Sequence, residues 1–252
     1  MTQRRRKAIA ALAQKKYRER SKQFVVEGVR AVEAAVLAQA PLVEVAVTEA
    51  AAQSERVAAV LSRVDAPVHP LRALDFAKLS DVQTAQGVLA VVEMQDASVA
   101  DLRDVPRVLA LDGVQDPGNV GTLIRTAAWF GVGAILTAPG TADVYNPKVV
   151  RSAMGSLWDV RLVRTQDLAD ALRTLGRPSY GADLDGTSVG TWAPASPSVM
   201  VMGSEAHGVS AAVRTVLSEA IVIPGVATRQ GTESLNVAVA GGILMQAWTG
   251  VV

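Results

Sequence analysis

The 252-residue chain contains no cysteine, which excludes disulfides, thiolate nucleophiles and cysteine-held zinc. Histidine is nearly missing too: only His69 and His207 occur, too few for a conventional zinc centre, so no metal is expected. Neither a glycine-rich dinucleotide fingerprint nor a P-loop signature is present, which disfavours a Rossmann-type cofactor site. There is no internal repeat and no low-complexity tract beyond alanine richness. A secretory leader is not expected, because the arginines near the start are followed by only six apolar residues, Ala8–Ala13, before charge resumes. Charge is absent from the last 19 residues, Ser234–Val252. That run must be weighed as a membrane span; Ser234, Asn236, Gln246 and three glycines favour a buried or dimer-facing helix instead.

What is present is apolar and basic. Half of the residues are apolar, enough for a sizeable core in one large domain or two smaller ones. The net charge is only +1, but it is unevenly spread. Arg4, Arg5, Arg6, Lys7, Lys15, Lys16, Arg18, Arg20 and Lys22 face the single acid Glu19 in the first 22 residues, which leaves +8 there and −7 over the remainder. Such a block suits a phosphate backbone as partner, so these nine residues are candidate RNA contacts. The alternative is a solvated tail.

Periodicity divides the chain in two. Residues 5–18 read as a basic helix, Phe24–Val26 as a strand, Val29–Leu37 as a helix, Val43–Val47 as a strand, Ala50–Val64 as one alanine-rich helix, Leu71–Leu79 as a further helix and Gly87–Val92 as a strand. This predicts a small α/β domain over residues 1–95. The polar stretch that follows predicts a linker over 96–106. From residue 107 to 252, strands at Val108–Leu111, Ala134–Thr137, Val160–Val163, Ser179–Ala182, Val199–Met202 and Ala220–Ile223 alternate with helices, one of them Ser210–Leu217. That alternation predicts a second α/β domain with a mostly parallel sheet.

Three stretches at predicted strand ends carry the chemistry, since open α/β sheets bind ligands there. They are Asp116-Pro117-Gly118-Asn119-Val120-Gly121 with Arg125, then Gly203-Ser204-Glu205-Ala206-His207-Gly208, then Ser234-Leu235-Asn236 opening the uncharged helix. In type, order and spacing they resemble the three motifs of the SpoU branch of the SPOUT RNA methyltransferases. The Tyr17–Val36 stretch resembles, more weakly, a substrate-binding module of ribosomal-RNA members, itself similar to a small ribosomal-protein fold. The resemblance implies methyl transfer from S-adenosyl-L-methionine to a ribose 2′-hydroxyl of RNA, with ribosomal RNA favoured over transfer RNA by that module. It also implies a homodimer and a C-terminal trefoil knot. A cytoplasmic location fits this reading. Two other readings compete: a non-catalytic RNA-binding or ribosome-assembly protein, and a nucleotide-using enzyme of flavodoxin-like architecture.

The resemblance casts Arg125, Asn119, Glu205, Ser234 and Asn236 as the catalytic set. It places the cofactor against Ala182, Asp183, Gly203, Gly208, Ile223, Pro224, Ser234 and Leu235, chiefly through backbone groups. Absence of thiols agrees with an oxygen or nitrogen acceptor. A guanidinium is effectively never deprotonated, so Arg125 is read as gripping the phosphate beside the target nucleotide. Asn119 lies six residues before Arg125, which puts the two on different sides of one helix; Asn119 is either a helix cap, an active-site group or both. His207 is read as a loop residue. The chain departs from the family's compact loop between Pro224 and Ser234, where extra residues include Arg229, a further candidate RNA contact.

Overall fold

The computed structural model describes residues 1–82, 84–95, 97–226 and 233–251. They form two compact units, Met1–Gln95 with Asp143–Trp158, and Asp96–Ala142 with Asp159–Val252.

The first unit is built on strands β1 (Gln23–Glu27), β2 (Leu42–Thr48), β3 (Val68–Leu71) and β4 (Val88–Glu93), in the order β1-β4-β2-β3. Central β4 runs antiparallel to both neighbours, and Val88–Val92 are all buried. A continuous apolar run of this kind needs cover on both faces. The helix Val29–Leu37 supplies part of it by burying Ala31, Val32 and Ala35. Pro70 is tolerated because β3 pairs only with β2, at the sheet edge.

Several boundaries differ from the sequence pattern. The alanine-rich segment is two short helices, Glu49–Ala52 and Glu55–Leu61. Thr48 caps the first through Ala51 N, and Ser54 takes the extended backbone of an N-cap for the second. The predicted Leu71–Leu79 helix is the end of β3 and a single turn, Ala73–Phe76. The basic start is also two helices, Gln3–Ala11 and Lys15–Ser21.

Asp143–Trp158 packs within the first unit rather than within an unbroken 107–252 domain. Its helix Pro147–Ala153 is capped by Asn146, which accepts from Lys148 N at 2.8 Å, and buries Val149 and Val150. The Tyr145 ring lies 4.6 Å from that of Phe24. Asp143 accepts from both Nε and Nη2 of the buried Arg18. These contacts are apolar, aromatic and ionic, and none leaves a sequence-local signature.

The second unit carries seven parallel strands: β5 (Arg107–Asp112), β6 (Ala134–Thr137), β7 (Arg161–Arg164), β8 (Ser179–Asp183), β9 (Thr187–Ser188), β10 (Ser198–Gly203) and β11 (Glu219–Val222). Their order is β7-β6-β5-β10-β8-β11-β9. The two-residue β9 has no counterpart in the sequence pattern, and the helix expected at Ser210–Leu217 is one turn, Ala211–Arg214. Val108 and Ala110 face a core that includes Leu168, Leu172, Val209 and Val213. Leu109 and Leu111, by strand alternation, point to the opposite face, where the helices Pro117–Trp129 and Val237–Thr249 pack together. Trp248 closes the second helix in the core, with Nε1 donating to the buried Ser198 Oγ at 2.8 Å.

Residues 97–106, expected to link the domains, are folded into the second unit. Leu102 and Val105 enter its core, and Arg177 donates to the carbonyls of Leu102 and Val105. Burial lowers the pKa of the Arg177 guanidinium, the expected direction for a cation withdrawn from water. Among the described residues, no helix is long and apolar enough to cross a membrane; the uncharged C-terminal helix spans 13 residues.

Candidate active site

The carboxyl ends of β8, β10 and β11 emerge on one edge of the second sheet and frame an open cleft of about 390 Å³. Gly203 ends β10 in a turn closed by paired backbone bonds between Ser204 and Gly208. A Cβ on Gly203 would lie 2.1 Å from the Gly208 carbonyl carbon, and Gly208 itself has φ +65°. Only glycine fits the first position, and the second favours it. The turn presents Ser204, Glu205 and His207 to the cleft, and His207 is an exposed loop residue.

Of the candidate cofactor contacts, Ala182, Asp183, Gly203, Gly208, Ile223, Ser234 and Leu235 line this cleft. Pro224 is not among its walls. Met202, Ile221 and Leu244 make the floor apolar, and Asp183 forms an ion pair with Arg214 at the rim. Arg214 also donates from Nε to Val209 O at 2.9 Å, joining the β8 and β10 loops. No motif pointed to Arg214; it acts through its place on a one-turn helix after the glycine turn.

Beside the cleft, three candidate catalytic residues form one hydrogen-bonded row. Asn236 caps the helix Val237–Thr249, its Oδ1 accepting from Ala238 N and Val239 N. With the oxygen thus committed, Nδ2 faces outward and donates to Asn119 Oδ1 at 3.1 Å. Asn119 must then turn its own amide nitrogen to Glu205, where Nδ2 donates to Oε1 at 2.7 Å. The helix-end amides therefore fix both side-chain orientations. The cap of the helix Pro117–Trp129 is Asp116, whose carboxylate accepts from Asn119 N. Asn119 is not the cap, and its side chain is free for Glu205.

Arg125 is exposed and makes no hydrogen bond or ion pair among the described residues. Its face also carries Trp129, which is 83% exposed. Neighbouring Leu235, Val239 and Ile243 form an exposed apolar stripe at helical spacing. In the basic start, Arg4, Lys7, Lys15, Lys16, Arg20 and Lys22 are exposed. Arg5 pairs with Glu44 and Arg6 with Asp75, the latter at 2.5 Å. Arg18 is 1% exposed and bound to Asp143 and to the carbonyls of Leu12 and Ala13, so its charge serves the fold instead of an RNA surface. Arg229 lies outside the described residues. Among the described residues, no group of acidic or imidazole side chains is arranged to hold a metal ion.

A parallel sheet with a cleft at its carboxyl edge, an ordered amide–carboxylate row beside it and a separate small mixed sheet define an α/β ligand-binding domain joined to an accessory domain. The family follows from comparison: the chain belongs to the SpoU rRNA methylase family, whose model matches residues 106–246. Residues 4–90 match the MRM3-like substrate binding domain. The chain is 34% identical over 92% of its length to the 23S rRNA (guanosine(2553)-2′-O)-methyltransferase RlmP of Bacillus subtilis, covering 90% of that protein. It is similar to the SpoU methyltransferase AviRb of Streptomyces viridochromogenes, solved with AdoMet, at TM-score 0.88 and 27% identity, with 99% and 98% of the two chains covered. An AdoMet-bound rRNA methyltransferase from Sinorhizobium meliloti gives TM-score 0.85 at 27% identity, covering 98% of this chain and 95% of that one.

Proposed function

We propose that the chain transfers a methyl group from S-adenosyl-L-methionine to a ribose 2′-hydroxyl of ribosomal RNA. The observation that carries this reading is the Asn236–Asn119–Glu205 row beside the strand-end cleft. Pure RNA binding needs no carboxylate held in a fixed orientation next to a cofactor-sized space. That space suits the cofactor: about 390 Å³ is within the range of small-molecule sites. Met202, Ile221 and Leu244 offer an apolar bed for a flat base, and Asp183, Arg214 and Ser234 offer polar partners. When bound, S-adenosyl-L-methionine supplies a methyl group on a sulfonium, ready for in-line displacement.

The residues of the chain do the positioning, which is the larger part of such a transfer. Glu205 accepts from Asn119 through one oxygen, and its other oxygen takes the hydrogen bond of the incoming ribose hydroxyl. Ser234, which also lines the cleft, steadies the sugar. Arg125 grips the phosphate beside the target nucleotide and stabilises the alkoxide developing at the hydroxyl oxygen. The exposed stripe Leu235, Val239 and Ile243, with Trp129, supports a homodimer in which these apolar groups are covered. The C-terminal trefoil knot and the cytoplasmic location belong to the same reading, on the strength of the family.

The test is transfer of labelled methyl to unmodified ribosomal and transfer RNA transcripts by the wild type and by Arg125→Ala. Label on the ribose of ribosomal RNA, lost in the variant, is the expected result. Label on a base, or on transfer RNA alone, refutes the reading.

A further inference from the structure

Arg214, at the rim of the strand-end cleft, is fixed on one side and keeps a donor on the other. It ends the one-turn helix Ala211–Arg214. The start of that turn is tied to the end of β5, where Ser210 N donates to Asp112 Oδ2 at 2.7 Å. From there the guanidinium reaches back over the glycine turn, with Nε donating to Val209 O at 2.9 Å and Nη1 to Asp183 Oδ2. Nη2 makes no hydrogen bond among the described residues. It lies 3.4 Å from where a Cβ on Gly208 would stand, so the glycine leaves the guanidinium its room. The Arg214 side chain is 46% exposed and that of Asp183 17%. A ligand in the cleft can therefore reach the guanidinium, while the carboxylate that holds it is mostly covered.

We propose that the Asp183–Arg214 pair reads the amino-acid end of S-adenosyl-L-methionine, with Arg214 Nη2 donating to the α-carboxylate and Asp183 accepting from the α-ammonium. The proposal deepens the methyltransferase reading and rests on it. The balance of charge in the cleft carries the argument. The cofactor brings one anionic group, its carboxylate, and two cationic ones, the ammonium and the sulfonium. Asp183, Glu205 and Glu233 all line the cleft, whereas Arg214 is the only lysine or arginine among the described residues that do. A carboxylate entering among acids is repelled unless a cation meets it. Backbone donors nearby are already committed. The amides of Ser204, His207 and Gly208 are bonded within the turn, and those of Ala238 and Val239 are taken by Asn236.

The ion pair also has the form that the ligand needs. Ammonium and carboxylate on one carbon make a short dipole, and a fixed carboxylate–guanidinium pair is its antiparallel complement. Asp183 Oδ1 accepts from Leu184 N at 2.7 Å and Oδ2 from Arg214. Each oxygen retains acceptor capacity for the ammonium. The cleft is thus sorted by polarity, with Met202, Ile221 and Leu244 on the floor for the base and the charged pair at the rim for the tail. Arg214 stands outside all three motif stretches, so this specificity is a property of the folded cleft and not of the motifs.

The experiment follows binding to the full chain by calorimetry with three probes. They are S-adenosyl-L-methionine, its decarboxylated analogue, which keeps the sulfonium and the ammonium, and 5′-methylthioadenosine, which has no amino-acid end. The wild type is expected to bind the decarboxylated probe about tenfold more weakly than S-adenosyl-L-methionine. That order is demanding, because a cleft richer in acid than in base otherwise favours the probe of higher positive charge. In Arg214→Gln the preference should vanish or reverse, with 5′-methylthioadenosine bound within about threefold of wild type; Arg214→Lys should restore part of it. Asp183→Asn should weaken the decarboxylated probe by about tenfold and leave 5′-methylthioadenosine unchanged. A preference that survives in Arg214→Gln, or is missing from a wild type that binds S-adenosyl-L-methionine and methylates ribosomal RNA, overturns the assignment and leaves the enzymatic reading standing. Equal loss of all three probes in Arg214→Gln also overturns it, since the arginine then only shapes the turn. If the wild type neither binds S-adenosyl-L-methionine nor methylates ribosomal RNA, both fall.

Discussion

Replacing Asn119 by Asp tests the amide row with almost no change in volume. The Asn119 Nδ2 donor to Glu205 Oε1, 2.7 Å away, becomes an acceptor, while Asn236 Nδ2 keeps a partner for its own proton. A hydrogen bond to a charged group is worth about 1.5–3 kcal/mol. If that bond holds Glu205 in its reactive orientation only at the transition state, methyl transfer should fall by about 10- to 150-fold. Repulsion between carboxylates this close is about 1.5 kcal/mol in a water-like medium, and two such groups tend to share a proton. Lowering the pH returns a donor to the row, so the variant should recover activity relative to wild type on acidification. Glu205 is exposed and Asn119 half-buried, so global stability should change by less than about 1 kcal/mol. The assay is methyl transfer at several pH values, with cofactor affinity by calorimetry and a thermal melt as controls. Transfer within threefold of wild type at every pH, with cofactor binding intact, would refute the role given to the row.

Three further perturbations probe the scaffold. Gly241→Ala should destabilise by about 1–3 kcal/mol in urea titration, because the added Cβ would meet the buried Leu123 Cδ2 at 2.3 Å and push apart the helices that carry Asn119 and Asn236. Arg177→Met should cost about 2–4 kcal/mol, since it leaves the carbonyls of Leu102 and Val105 without the guanidinium; an unchanged unfolding midpoint would show that residues 97–106 hold without it. Ile243→Glu places a charge in the exposed apolar stripe and, on the proposal that this face forms a homodimer, should shift the sedimentation profile from dimer to monomer with the melting temperature little changed. A profile that stays dimeric would remove this face as the interface.

Much of the second unit was legible because buried parallel strands write themselves as short apolar runs ended by glycine or polar residues. Ala134–Thr137 was read to the residue, and β5, β8 and β10 to within one at each end. Shorter elements failed for a definite reason. Two residues of β9 carry no periodicity at all, and the single turn Ala211–Arg214 is shorter than the helix that its apolar spacing suggests. In the first unit, alanine is compatible with one long helix or two short ones, and the break falls where Ser54 takes the extended backbone of an N-cap, after a first turn that Thr48 caps. Long-range packing was invisible: nothing near Asp143 in the sequence announces that it neutralises Arg18, 125 residues away.

The site shows the same division between kinds of residue. Motif residues were recognisable because chemistry fixes their types at fixed spacing, and the fold brings Asn119, Glu205 and Asn236 within hydrogen-bond reach across separations of 86 and 117 residues. Their polarity was not readable, because it depends on which atom of Asn236 meets the helix amides. Three of the nine cations in the basic start show a further limit of composition. Counting charge treats every cation as surface, whereas Arg5, Arg6 and Arg18 are held by acids far along the chain. Composition can place an excess of charge, but only the partners of each side chain decide whether that charge meets RNA or closes the fold.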